Sequence, residues 1–120
     1  MKKILIVTQQ ADNFSKLAKS LRVDKTTDVT WADSVEAARS AAFALIDLII
    51  IDENLDGRSV LSIAKDMIRV NALVHLALVT TLTPEEFHEA SEGLGVLASL
   101  PPHPDEKDAE RLLNALAALS

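Results

Sequence analysis

The sequence predicts an α/β fold: a three-layer sandwich around one doubly wound parallel sheet. Four short apolar runs, ILIV at 4–7, LIII at 48–51, LALV at 76–79 and VLASL at 96–100, mostly lack polar alternation. Strands covered on both faces read this way, which is the habit of parallel sheets. Segments with helical spacing lie between the runs. Five strands alternating with five helices then require right-handed crossovers, with helices on both faces.

The elements follow in order. MKKILIV opens with two lysines, as a signal peptide does, but Thr8, Gln9, Gln10 and Asp12 end the apolar run early and no cleavage pattern follows. It is expected to be the first strand of a cytoplasmic protein. Phe14, Leu17, Ala18 and Leu21 space the first helix, with Asp12 as its start signal. TDVTWA at 27–32 alternates and suits an edge strand, with Trp31 packed at the sheet edge. Val35, Ala38 and Ala42 mark the second helix, for which Asp33 and Glu36 resemble a capping box. Leu61, Ala64, Met67 and Ile68 mark the third. Phe87 and Ala90 mark the fourth, which opens on a cap, a proline and two acids, Thr83-Pro84-Glu85-Glu86. The last helix carries Leu112, Leu113, Leu116 and Ala117 behind Pro104, Asp105 and Glu106. Ala115, Ala117 and Ala118 widen its stripe enough for a partner surface.

A chain of 120 residues with 48% apolar content is expected to form a single domain, residues 1–120. No apolar stretch approaches the roughly 20 residues that span a bilayer. A net charge of -6 with scattered lysines and arginines argues against nucleic acid or an anionic membrane as direct partner. Without cysteine there is no thiolate chemistry and no cysteine-ligated metal. His75, His88 and His103 are dispersed without ligand spacing, so structural roles at the surface or half-buried are expected for them.

In a doubly wound sheet, ligands sit beyond the carboxyl ends of the strands, where the winding reverses. For the order 2-1-3-4-5 the reversal lies between the first and third strands. Asp52, in IDLIIIDENLDG, ends its strand at the middle of that crevice. Thr8 to Gln10, Thr80 with Thr81, and Leu100 to Pro102 close the neighbouring strands.

KKILIV, DLIIIDENL, LVTT and EGLGVLASLPP fall in an order and spacing that resembles the response-regulator receiver family (CheY-like) over nearly the whole chain. The resemblance implies the flavodoxin-like order 2-1-3-4-5, a phosphoacceptor position at Asp52, the family's hydroxyl residue at Thr80 and its proline at Pro101. It also places Asn54 where a backbone carbonyl helps hold a metal. The reactive set departs from the pattern. Thr8 and Gln9 replace the acidic pair, Leu100 the lysine, Leu97 the aromatic switch residue, and Asp56 the proline four residues beyond the acceptor.

Receivers, as the resemblance implies, accept a phosphoryl group on aspartate with magnesium. That transfer depends on positioning and charge neutralisation. With neutral Thr8 and Gln9, and with Leu100 in the lysine's place, the expectation is a degenerate, non-enzymatic pseudo-receiver. It would act through protein–protein contact, without cofactor or bound metal. The alternative is a working receiver on Asp52 with an atypical pocket, where Asp52 and Asn54 hold magnesium and Glu53, Asp56 or Asp12 assists. Against Glu53 stands strand alternation, which sends adjacent side chains to opposite faces. Asp12 is better employed as a helix cap.

The expected partner is a protein, a histidine kinase or an output domain. By resemblance, the surface for output or for a homodimer comprises Pro84 to Ala90, Val96 to Leu100 and Asp105 to Leu119. An FMN carrier of the same fold is disfavoured because TQQADN has no glycine and the chain no tyrosine. Dinucleotide binding fails because Gly57, Gly93 and Gly95 form no GxGxxG after the first strand.

Overall fold

The computed structural model describes residues 2–119 except Asp24, Phe43, Ala44, Asn54 and Gly95. In chain order the elements are β1 (Lys2–Val7), α1 (Ser15–Arg22), β2 (Thr27–Ala32), α2 (Val35–Ala41), β3 (Leu48–Ile51), α3 (Val60–Val70), β4 (His75–Val79), α4 (Pro84–Ala90), β5 (Val96–Leu100) and α5 (Glu106–Ala118). The strands form one parallel sheet in the order β2-β1-β3-β4-β5.

The apolar runs lack polar alternation because both faces of the sheet are buried. Leu5, Val7, Ile49, Ile51, Leu76 and Leu78 pack on one face against Val35 and Ala38 of α2 and Ile63, Ala64 and Met67 of α3. Ile4, Ile6, Leu48, Ile50, Ala77 and Val79 pack on the other against Leu17 and Leu21 of α1 and Ala109, Leu112 and Leu116 of α5. Each fully buried Leu or Ile contributes about 1.5–3 kcal/mol relative to an exposed one, so these two layers supply most of the driving force. α4 adds only Phe87 to the buried set.

Several helix starts differ from expectation. Asp12 lies exposed inside a 3-10 turn, Ala11–Phe14, that precedes α1, and only its backbone carbonyl is used, accepting the Ser15 hydroxyl at 3.0 Å. Ser34, not Asp33, caps α2: its hydroxyl accepts the Ala37 amide at 3.0 Å, three residues along, the reach of an N-cap. Ser59 caps α3 in the same way. The Thr83–Glu86 box opens α4 as expected, and Asp105 opens α5 with Asp108 as its reciprocal partner.

One irregularity bears on a residue singled out in the sequence. Leu76 pairs with Val96 but Ala77 pairs with Ala98, so Leu97 is an extra residue on β5. The bulge puts Leu97 and Ala98 both against the α1–α5 layer, where strict alternation would have separated them.

Candidate functional site

Register brings the candidate residues together. Val7 is flanked by Ala32 and Ile51, and the ladder continues one step further: the Thr8 amide donates to the Ala32 carbonyl and the Asp52 amide to the Val7 carbonyl, both at 2.9 Å. Thr8 and Asp52 therefore leave the sheet side by side. The Thr8 hydroxyl donates to Asp52 Oδ2 at 2.7 Å and accepts the Gln10 amide at 2.9 Å. Asp52 Oδ1 accepts the Glu53 amide at 2.8 Å. Both oxygens of the half-buried carboxylate thus hold protein donors, which is how a buried polar group avoids the cost of desolvation.

Around this pair lies a polar cleft of about 340 Å³. Gln9, Gln10 and Asn13 form one side, Asp52, Glu53 and Leu55 the other, and Pro102 and His103 close it. The Asn13 side-chain amide donates to Gln10 Oε1 at 2.8 Å, which fixes the loop after β1. One sequence expectation is corrected here. Glu53 faces the same cleft as Asp52, because β3 ends at Ile51 and alternation does not extend past the last paired residue. His103, expected at the surface or half-buried, is exposed and lines the cleft from the turn after β5.

Asp56 has a different task. Its Oδ1 accepts the Gln9 side-chain amide and its Oδ2 the Val35 amide, each at 3.0 Å, so it ties the β1 loop to the start of α2. It adopts φ 52°, and Gly57 follows at φ 73°. Aspartate is one of the few residues with a side chain that enters the left-handed region at modest cost. The chain thereby turns toward α3.

Thr80, Leu97, Leu100 and Pro101 are not among the residues that line the cleft. Leu100 is 1% exposed and packs in the core layer beneath α1 and α5, as alternation on β5 dictates. Leu97 packs half-buried in the same layer, and Pro101 is exposed outside the cleft lining. Thr80 donates its amide to the Leu100 carbonyl at 3.0 Å, and its hydroxyl accepts the Leu82 amide at 3.1 Å, closing a local turn. Asn54 lies outside the described residues.

Away from the cleft, Asp66 of α3 is met by Arg58 at 2.7 Å, Arg39 of α2 at 3.0 Å and Arg69 at 3.8 Å. The hydrogen bond from Arg58, with its charge and that of Arg39, holds the Asp66 carboxyl below its ordinary value against the opposing effect of burial. The hydrogen bond from the Thr83 amide likewise lowers Glu86.

No protein-family model and no curated protein matches the chain. Solved structures do. A CheY-like response-regulator receiver domain protein from Methanospirillum hungatei JF-1 is 17% identical with a TM-score of 0.81, over 98% of this chain and 95% of that one. The chemotaxis response regulator CheY4 of Vibrio cholerae is 21% identical with a TM-score of 0.78, over 97% and 98%. A response regulator from Burkholderia pseudomallei, solved with a phosphorylated aspartic acid, a calcium ion and citrate, is 20% identical with a TM-score of 0.75, over 97% of this chain and 66% of its own. The fold is accordingly the CheY-like, flavodoxin-like α/β sandwich, the architecture on which these response-regulator receivers are built. Among the described residues no helix is long and apolar enough to cross a membrane.

Proposed function

We propose that the chain is a receiver-like module of two-component signalling that works as a pseudo-receiver, binding a protein partner without magnesium-dependent phosphorylation of Asp52. The observation that carries this reading is the Thr8–Asp52 hydrogen bond: a neutral hydroxyl donates to Asp52 where receivers, by the resemblance, present acid. Magnesium is held by one or two carboxylates with waters and phosphate oxygens in near-octahedral geometry. Here Asp52 is already committed to Thr8 and to the Glu53 amide, and Gln9 is turned toward Asp56. The donor set fits magnesium poorly. A phosphoryl group would also need a cation to neutralise its oxygens. Leu100 supplies none.

A second reading has one observation in its favour. Glu53 shares the cleft with Asp52, so two carboxylates face a common space with His103 near its rim. A working receiver with an atypical pocket would use that pair.

A magnesium titration followed at the backbone amide of Glu53 separates the two. The pseudo-receiver reading predicts no saturable shift at physiological magnesium. Saturable binding that is abolished in Asp52→Asn would establish the second reading. The partner is proposed to be a histidine kinase or an output domain, meeting α4, β5 and α5.

A further inference from the structure

A second concave surface lies on the opposite side of α1 from α5, against the edge strand β2. It is an open groove of about 490 Å³ lined by Asp12, Ala18, Lys19, Arg22, Val23 and Trp31, with Ala11 and Ser15 at its end. Trp31 is 39% exposed and Val23 80%, so the groove presents an aromatic ring and an aliphatic side chain to solvent. Tryptophan and arginine are the residue types most enriched where binding energy concentrates at interfaces.

The charge around it runs against the molecule's own. The chain carries a net charge of -6 and its cations were expected to be scattered, yet Lys16, Lys19, Arg22 and Lys25 fall within residues 16–25 against one acid in that stretch of sequence, Asp24. None of these cations takes part in the ion pairs found among the described residues, whereas Arg39, Arg58, Arg69 and Arg111 each face an aspartate. Lys19 and Arg22 lie one turn apart on the groove wall, and the wall from Ser15 to Arg22 runs about 10 Å. Asp12, at the other end, disfavours a carboxylate there.

We propose that this groove docks an acidic amphipathic peptide segment of a protein partner, its apolar side chain against Trp31, Ala18 and Val23 and its carboxylates against Lys19 and Arg22. A bilayer is the poorer occupant, because the surface is concave and an extended flat sheet of headgroups does not enter it. The groove is separate from the Asp52 cleft and from the α4–β5–α5 face, so the inference does not depend on the phosphorylation state of Asp52.

The test uses the single tryptophan, undisturbed because the chain has no tyrosine. A synthetic amphipathic helix with leucines on one stripe and flanking glutamates is titrated against the intact chain, alongside the same peptide with lysines for glutamates. Vesicles of phosphatidylserine and phosphatidylcholine serve as a third probe. The glutamate peptide should shift Trp31 emission to the blue saturably, with affinity falling as salt rises. Lys19→Glu with Arg22→Glu should weaken it by about tenfold, or ~1.4 kcal/mol. Lys65→Glu with Lys107→Glu changes net charge equally on exposed residues outside the groove and its basic segment, and should weaken it less than about threefold. All four sites are exposed, and unchanged circular dichroism confirms that both variants fold. Asp52→Asn should bind as the parent does. The proposal is overturned if the lysine peptide binds equally well, if the two double variants lose affinity alike, or if vesicles give the same Lys19- and Arg22-dependent shift in place of the peptide.

Discussion

Thr8 serves two partners, donating to Asp52 and accepting from the Gln10 amide, and it is 4% exposed. Thr8→Val keeps the shape and removes both bonds, leaving a half-buried carboxylate one donor short. A loss of about 1–3 kcal/mol in urea denaturation is expected. Asp66 supplies a pH-dependent counterpart. Its carboxyl is lowered in the folded state from 3.8, chiefly by the hydrogen bond from Arg58, so the stability it contributes is present above about pH 3.8 and is lost as pH falls through the folded value. Asp66→Asn should therefore cost about 1 kcal/mol at neutral pH. The difference should fade in acid, a convergence that denaturation curves at several pH values will show.

Helix ends carry the next level of organisation. Asp105 accepts the Lys107 amide at 3.0 Å and the Asp108 amide at 3.4 Å, while Asp108 reaches back to the Asp105 amide at 3.0 Å. α5 also brings Ala109, Leu112 and Leu116 to the core, so fraying its first turn is felt globally. Asp105→Ala should cost about 1 kcal/mol, and up to ~2, in global stability, read as a lower midpoint in thermal unfolding. The α4 box is chemically alike but holds a helix that buries only Phe87. Its loss should be a local event. Asp56 belongs to this scale as well: it fastens α2 to the β1 loop through Gln9 and Val35, so the neighbourhood of the cleft is braced by an acid that a reading by family position treats as a lost proline.

At the level of the whole chain, the fold was legible in the sequence because its inner strands β1, β3 and β4 are buried on both faces along most of their length. β3 and β5 coincide with the apolar runs at 48–51 and 96–100, and β2 with the alternating edge stretch at 27–32. What the sequence hid depends on contacts between distant residues. Thr8 meets Asp52, and Gln9 meets Asp56, across more than forty residues, and no local periodicity encodes those bonds. Glu53 was misplaced because alternation was carried past the end of β3. The place of His103 on the cleft follows from the turn after β5 and not from its spacing to other histidines. The groove at Trp31 needs α1 and β2 side by side before it exists at all.

In the proposed function Asp52 serves as an anchored carboxylate and not as a phosphoacceptor. Intact-mass spectrometry after incubation with magnesium and a small phosphodonor tests it most directly. An unmodified chain is expected at donor concentrations that fully phosphorylate an active receiver run in parallel. A stoichiometric acyl phosphate on Asp52, absent in Asp52→Asn, would contradict it.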